Sequence, residues 1–188
     1  MNAALTRVPS VIGCMTMKRF IKLAGIALTS VISSFTHAGE GEKVDLPAPQ
    51  ISGTNQDGKT VNFADVYAKG PTVVFFYPKA NTPGCTKQAC SLRDAFAELS
   101  KDGVQVLGVS VDKPDAQKKF IEDHKLPFDL IADPEGKVLE AFKVAKMPVV
   151  GLATRQCFLI KGGKIVWHDA KASTDKQADD IKRVLAQK

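Results

Sequence analysis

The run Thr72-Val73-Val74-Phe75-Phe76-Tyr77-Pro78-Lys79-Ala80-Asn81-Thr82-Pro83-Gly84-Cys85-Thr86 decides the fold. Its first six residues are β-branched or aromatic without alternation, which reads as a strand buried on both faces. Thr82 then offers an N-cap hydroxyl and Pro83 suits the first helical position. Ala89, Leu92, Phe96 and Leu99 follow at helical spacing, with Arg93, Asp94 and Glu98 on other faces. A strand therefore turns directly into a helix over Pro83 to Ser100, and Cys85 falls in the helix's first turn. Unpaired amides and the positive helix end favour a thiolate there. Open α/β sheets place their sites in such loops, at the C-terminal ends of strands.

Outward from this unit, apolar runs alternate with amphipathic segments. Val104 to Val111 reads as a second buried strand. Pro114 to His124 reads as a helix started by Asp112 or Lys113. Phe128 to Ile131 is a short strand and Glu135 to Phe142 a short helix. Cys157 to Ile160 and Lys164 to Trp167 flank Lys161-Gly162-Gly163, a hairpin signal. Asp175 to Ala186 closes the chain as a helix with Ile181, Val184 and Leu185 inward. Residues 51 to 62, split by Asn55-Gln56-Asp57-Gly58, form a small N-terminal hairpin, and Glu40 to Gln50 is an exposed lead-in. The expected class is an α/β sandwich.

The 188 residues carry a formal charge of +6. Residues 1 to 38 hold Arg7, Lys18, Arg19 and Lys22 and no acid, so removing them leaves 22 basic and 20 acidic residues, a net +2. The remaining lysines are interspersed with acids, which argues against nucleic-acid binding. Met17-Lys18-Arg19 gives a basic n-region, Phe20 to Phe35 is mostly apolar, and Thr36-His37-Ala38 puts small residues before Gly39. That order predicts a cleaved secretory signal peptide over residues 1–38. The alternative, an uncleaved anchor, needs ~20 apolar residues, more than follow Lys22. Translation is expected to start at Met15 or Met17. Val11-Ile12-Gly13-Cys14 resembles a lipobox but precedes the apolar run, so Cys14 is not expected to be lipidated. Residues 39–188 are then one exported, periplasmic domain with no stable membrane association.

The exported part has three cysteines, Cys85, Cys90 and Cys157. An odd count points to one pair and one extra thiol. A structural disulfide is one reading of the pair. Its spacing favours another. Residues five apart on an ideal helix have Cα atoms roughly 8.7 Å apart, whereas a disulfide wants at most ~6.8 Å. Cys85 and Cys90 cannot bond while the helix is intact, so a reversible redox pair requires its start to unwind. Ser91→Ala, read as an exposed helix-stabilising change, is then expected to slow disulfide formation.

Phe76 to Thr86 resembles the peroxiredoxin active-site motif P-x-x-x-T-x-x-C. A cysteine five residues later, followed by Leu92-Arg93-Asp94, resembles the peroxiredoxin Q branch, also called bacterioferritin comigratory protein. The likeness runs from about residue 43 to 186, through Gly108 to Asp112, Phe128 to Asp133 and Arg155 to Ile160. It implies a thioredoxin-like sandwich with a central mixed sheet and an N-terminal β-hairpin extension. It implies a thiol peroxidase acting on hydrogen peroxide and organic hydroperoxides. Cys85 matches the peroxidatic cysteine and Cys90 the resolving one. Thr82 matches the hydroxyl that bonds thiolate and peroxide, and Arg155 the arginine that stabilises the thiolate and developing charge. Pro78, with Phe76, is expected to shield the pocket. No cofactor and no metal is implied; the partners are a hydroperoxide and a thioredoxin or thioredoxin-like reductant, and the chain is expected to be a monomer. Departures are Asn81, where relatives often carry Asp, the Lys161 turn, and Cys157, where Ser or Thr is usual. Cys157 is either a small buried strand residue or a secondary redox thiol.

Two other functions compete. A disulfide oxidoreductase generally uses C-x-x-C, which is absent from the sequence. An exported copper-binding protein of thioredoxin-like fold would use C-x-x-x-C with a downstream His as soft ligands. Here the spacing is one longer and His168 is poorly placed.

Overall fold

The computed structural model describes residues 41–187. The predicted leader, with Cys14, Met15 and Met17, lies outside the described residues. Strands β1 (Glu42–Pro47), β2 (Ser52–Asn55), β3 (Thr60–Asn62), β4 (Thr72–Phe76), β5 (Gln105–Ser110), β6 (Asp129–Ala132), β7 (Gln156–Lys161) and β8 (Lys164–Asp169) join one sheet. Helices α1 (Phe63–Tyr67), α2 (Pro83–Lys101), α3 (Pro114–His124), α4 (Lys137–Ala141) and α5 (Gln177–Ala186) complete the chain. The strand order is β1-β8-β7-β4-β5-β6-β2-β3. β4, β5 and β6 are parallel, joined through α2 and α3, while β7 pairs with β4 antiparallel. The sheet is therefore mixed, as expected.

All five β4 residues are buried, which is why that run reads as continuously apolar. Alternate side chains serve two cores. Val73, Phe75 and Tyr77 share a layer with Cys85, Leu92 and Leu99 of α2, Phe120 of α3 and Ile181 of α5. Val74 and Phe76 face the other layer, with Phe63, Leu139, Phe142 and Phe158. Phe76 is thus not the residue that shields the cysteine. It packs edge-to-face on Phe158, 5.6 Å between centroids, on the far side of the sheet.

Two further differences have local causes. The expected lead-in is in part strand β1, an edge strand paired with β8 through Lys43↔Trp167 and Leu46↔Ile165. Pro47 is tolerated there because an edge strand needs no second set of ladder bonds. A Cβ at Gly41 would lie 2.3 Å from Trp167 Cε2, so only glycine lets the chain cross that ring. The short helix α1 was not predicted. Its start is Asn62, whose Oδ1 accepts from Ala64 N at 3.1 Å. The hairpin turns are as read: Asn55 Oδ1 accepts from Asp57 N and Lys59 N, and Gly162 and Gly163 both take positive φ.

Candidate active site

The site is built where β4 ends. Tyr77 N donates to Val109 O at 3.1 Å, and the chain then leaves the sheet through Pro78 to Asn81. Asp112 and Asn81 fix that loop. Asp112 Oδ2 accepts from Ala80 N at 2.7 Å and from Ser110 Oγ at 2.8 Å. Asn81 takes the left-handed backbone, φ 56°, a conformation Asn tolerates. Its amide donates to Asp123 Oδ2 at 3.0 Å, and its carbonyl meets His124 Nε2 at 3.0 Å. Beneath the loop, buried Tyr77 donates to Gln117 Oε1, and Gln117 donates to Ser110 Oγ and Ile131 O. Burial pushes the Tyr77 phenol well above its ordinary range, so this hydroxyl stays a donor.

Thr82 occupies the N-cap of α2 and Pro83 follows it, as expected. The threonine hydroxyl does not cap the helix, however. It donates to Lys79 O at 3.0 Å, back into the loop. The capping backbone link is instead Thr86 N to Thr82 O, 2.8 Å. Pro78 is half-buried at the loop entrance.

α2 is continuous through Cys85 and Cys90, and both thiols are free, Cys85 buried and Cys90 half-buried. Arg155, just before β7, reaches across: its Nη2 lies 3.5 Å from Cys85 Sγ. Its Nη1 donates to Oε1 of Gln88, a fully buried residue one turn beyond Cys85. Gln88 Nε2 in turn donates to Gln177 Oε1 on α5 at 3.0 Å. Gly84 leaves room for the guanidinium, since a Cβ there would stand 3.2 Å from Arg155 Nη2. Ser91 Oγ accepts from Ala178 N at 3.2 Å, so α2 also caps α5. Ser91 is half-buried and engaged, not an exposed serine.

The sequence reading missed Gln88 and Gln177. The available signal was an amide beside the apolar stripe of α2, between Cys85 and Ala89. Cys157 lies on β7 opposite Phe75 and Asp169, in the same core layer as Cys85. Burial, with the charges of Asp169 and Asp180, pushes its thiol well up and keeps it protonated. His168 stacks on Phe158 at 4.3 Å and bonds Gln156, on the face away from Cys85. Among the described residues no group of three or more His, Cys, Asp or Glu could hold a metal ion. A cavity of about 660 Å³ lies near Phe96, Ile121, Gln105 and Asp129, at the N-terminal ends of β5 and β6 and thus at the opposite end from Cys85.

A mixed α/β sandwich with a cysteine opening the helix after its central strand, faced by an arginine that immediately precedes a neighbouring strand, defines a thioredoxin-like cysteine-site protein. Residues 44–168 match the AhpC/TSA family, and the chain belongs to that family. It is similar to Peroxiredoxin Bcp of Escherichia coli (strain K12), 50% identical over 97 residues, which are 52% of this chain and 62% of that protein. The match thus spans less than two thirds of that relative's length. Peroxiredoxin Q, chloroplastic, of Gentiana triflora is 34% identical over 156 residues, 82% of this chain and 70% of that protein. The crystal structure of Peroxidoxin BcpB from Mycobacterium tuberculosis superposes with a TM-score of 0.67 at 31% identity, covering 81% of this chain and 99% of that one.

Proposed function

We propose that the chain is a thiol peroxidase that reduces hydrogen peroxide and organic hydroperoxides through Cys85. The 3.5 Å approach of Arg155 to Cys85 Sγ at the start of α2 carries this reading, and the Bcp and peroxiredoxin Q relatives support the same chemistry. Cys85 thiolate attacks one peroxide oxygen, the O–O bond breaks, and sulfur is oxidised by two electrons to sulfenic acid. The departing alkoxide or hydroxide takes a proton and leaves as alcohol or water. Negative charge builds on that oxygen, where the Arg155 guanidinium and the amides of the first turn stabilise it. Thr82 Oγ, by turning from Lys79 O, can donate its one proton to the thiolate and accept from the peroxide. Pro78 limits water at the entrance.

The sulfenic acid is then displaced by the Cys90 thiol, forming a Cys85–Cys90 disulfide and releasing water. Both cysteines sit in one intact helix here, so this step requires α2 to open between them. An external dithiol returns two electrons and two protons. For an exported protein this donor is a membrane-fed, thioredoxin-like periplasmic reductant, since that compartment has no thiol buffer. The working unit is a monomer of residues 39–188 after leader removal.

The test is peroxide consumption by reduced protein, with Cys85→Ser expected to abolish it. Retained consumption in that variant overturns the reading. Cys90→Ser should still give one turnover and then stall. Copper titration separates the competing binding function. Uncleaved protein confined to the cytoplasm would overturn the export and donor assignments.

A further inference from the structure

Only three large apolar side chains stand out on the described surface: Leu46, Val149 and Val150. The valines are adjacent and the more protruding, 105% and 61% exposed. They tip a closed loop that ends at the active site. Lys146 and Ala153 bridge as antiparallel partners, two residues before Arg155. Met147 N donates to Leu152 O at 2.7 Å, Gly151 N to Met147 O at 3.0 Å and Val150 N to Pro148 O at 2.9 Å. Thr154 closes the base by donating to Ala145 O through both N and Oγ1. Val149 is held at φ 72°, an uncommon conformation for a β-branched residue. The protein therefore fixes an aliphatic tip in water, at a backbone cost, where folding gains nothing from it.

Along the sequence the charge beside the tip is one-sided, although the Lys146 ammonium lies over Gly136, next to Glu135. Residues 141 to 168 contain Lys143, Lys146, Arg155, Lys161 and Lys164 and no Asp or Glu. Lys143 and Lys146 precede the tip and are exposed. An aliphatic wedge flanked by exposed cations fits an anionic surface that is apolar beneath.

We propose that the Met147–Leu152 loop docks reversibly on an anionic phospholipid surface, with Pro148, Val149 and Val150 entering the headgroup layer and Lys143 and Lys146 meeting lipid phosphates. Docking would set the Arg155–Cys85 end of the molecule against the membrane. Docking would bring Cys85 to hydroperoxides held in the bilayer, which rests on the peroxidase reading above.

A lipid surface fits better than a protein for two reasons. A specific protein interface takes about 800 Å² from each partner and is anchored by Trp, Tyr and Arg, with Val under-represented. Three small aliphatic residues on a convex tip supply neither. Lysines, by contrast, keep their heads in water while their stems lie along apolar surface. The attachment is weak: a single acyl chain binds with K of only ~10⁴ M⁻¹, and two valines with two lysines give no more. It is a surface contact in exchange with solution, distinct from a stable anchor.

The experiment places one reporter at the tip of the full chain, Val149→Trp. The native Trp167 is 2% exposed and gives a constant background. Vesicles of phosphatidylglycerol and phosphatidylcholine with brominated acyl chains should blue-shift and quench the new indole, and vesicles of phosphatidylcholine alone should not. Lys143→Glu with Lys146→Glu should weaken vesicle binding, read as quenching, by at least about thirtyfold. Because the reporter is local, binding by the leader does not imitate this signal. Unchanged emission with anionic vesicles overturns the proposal. So does lipid-free self-association that Val149→Asp with Val150→Asp abolishes, which would make the tip a contact between copies. In the parent background, Val149→Asp with Val150→Asp should lower turnover of vesicle-held lipid hydroperoxide about tenfold, with hydrogen peroxide turnover unchanged. An equal fall on both substrates overturns the idea that docking brings bilayer-held hydroperoxide to Cys85. A parent chain inactive on hydrogen peroxide overturns the peroxidase reading, while the quenching still decides the docking.

Discussion

Gln88→Leu isolates the part of the site that holds Arg155. Gln88 is 0% exposed and uses both ends of its amide, accepting from Arg155 and donating to Gln177. Leucine is of similar size and an equally good helix former, so hydrogen bonding accounts for most of the change. A hydrogen bond to a charged group contributes about 1.5–3 kcal/mol, and stranding a buried amide oxygen costs about 1–3 kcal/mol. Gln177 is poorly able to compensate, because it is itself fully buried and its Nε2 already lacks a partner. Stability should therefore fall by about 3–5 kcal/mol. Arg155 would keep its contact to Cys85 but lose its second anchor. If that loosening removes about 1–2 kcal/mol of charge stabilisation in the transition state, the rate falls roughly 5- to 30-fold. The assay is single-turnover stopped flow, mixing pre-reduced protein with hydrogen peroxide, beside a thermal melt of the same sample. A folded Gln88→Leu protein with the parent rate would refute the idea that Gln88 positions Arg155.

Three more outcomes follow from the same geometry. Cys157→Ala should leave peroxide turnover within about twofold and cost about 1 kcal/mol in a denaturant titration, because the thiol is buried and held protonated; loss of turnover would assign it a redox role. Burial raises the carboxyl of Asp169, whose Oδ2 has no partner. Its native value lies above its unfolded one, so the native state binds more protons and loses stability as pH rises through that window. Asp169→Asn should raise the melting temperature at pH 7 and leave it unchanged at pH 3; a gain that persists at pH 3 would refute the assignment. Ser91→Ala removes the acceptor for Ala178 N and about 1 kcal/mol of capping. It should therefore quicken disulfide formation after one equivalent of peroxide, contrary to the expectation from helix propensity alone, and slower formation would restore that expectation.

The central part of this structure was legible because its signals are local. A continuous run of β-branched and aromatic residues, a threonine, a proline and a helical stripe are all adjacent in sequence, and β4 and α2 follow them closely. The position of Cys85 came with them. What escaped the reading depends on partners far along the chain. Glu42–Pro47 is a strand only because β8 offers an edge, more than a hundred residues later. The Thr82 hydroxyl could accept from a helix amide as a cap or donate to a nearby carbonyl, and loop geometry chose donation to Lys79 O. Phe76 and Tyr77 differ only by strand parity, and parity decides which of the two faces the cysteine. Gln88 reads as one polar residue on a helix until Arg155 and Gln177 arrive from separations of 67 and 89 residues.

The distant contacts also change how costly the opening of α2 is. A helix end frays cheaply when only its own backbone bonds are at stake. Here the segment between Cys85 and Cys90 carries Gln88, bonded to Arg155 and Gln177, and is followed directly by Ser91, bonded to α5. Exposing these groups lets water replace each partner, so net contributions of about 1 kcal/mol per neutral bond and ~2 for the charged one apply. With a few backbone bonds added, opening costs about 4–6 kcal/mol, a population on the order of one molecule in 10³ to 10⁴. The same bonds therefore hold two states apart. In the mechanism proposed above, Gln88 keeps Arg155 on Cys85 while α2 is closed. Once α2 opens for Cys90, Gln88 leaves with it and Arg155 loses the partner that aimed it. On that mechanism, attack on peroxide and formation of the disulfide would require mutually exclusive arrangements of one glutamine, and a sulfenic acid formed in the first would wait for the second.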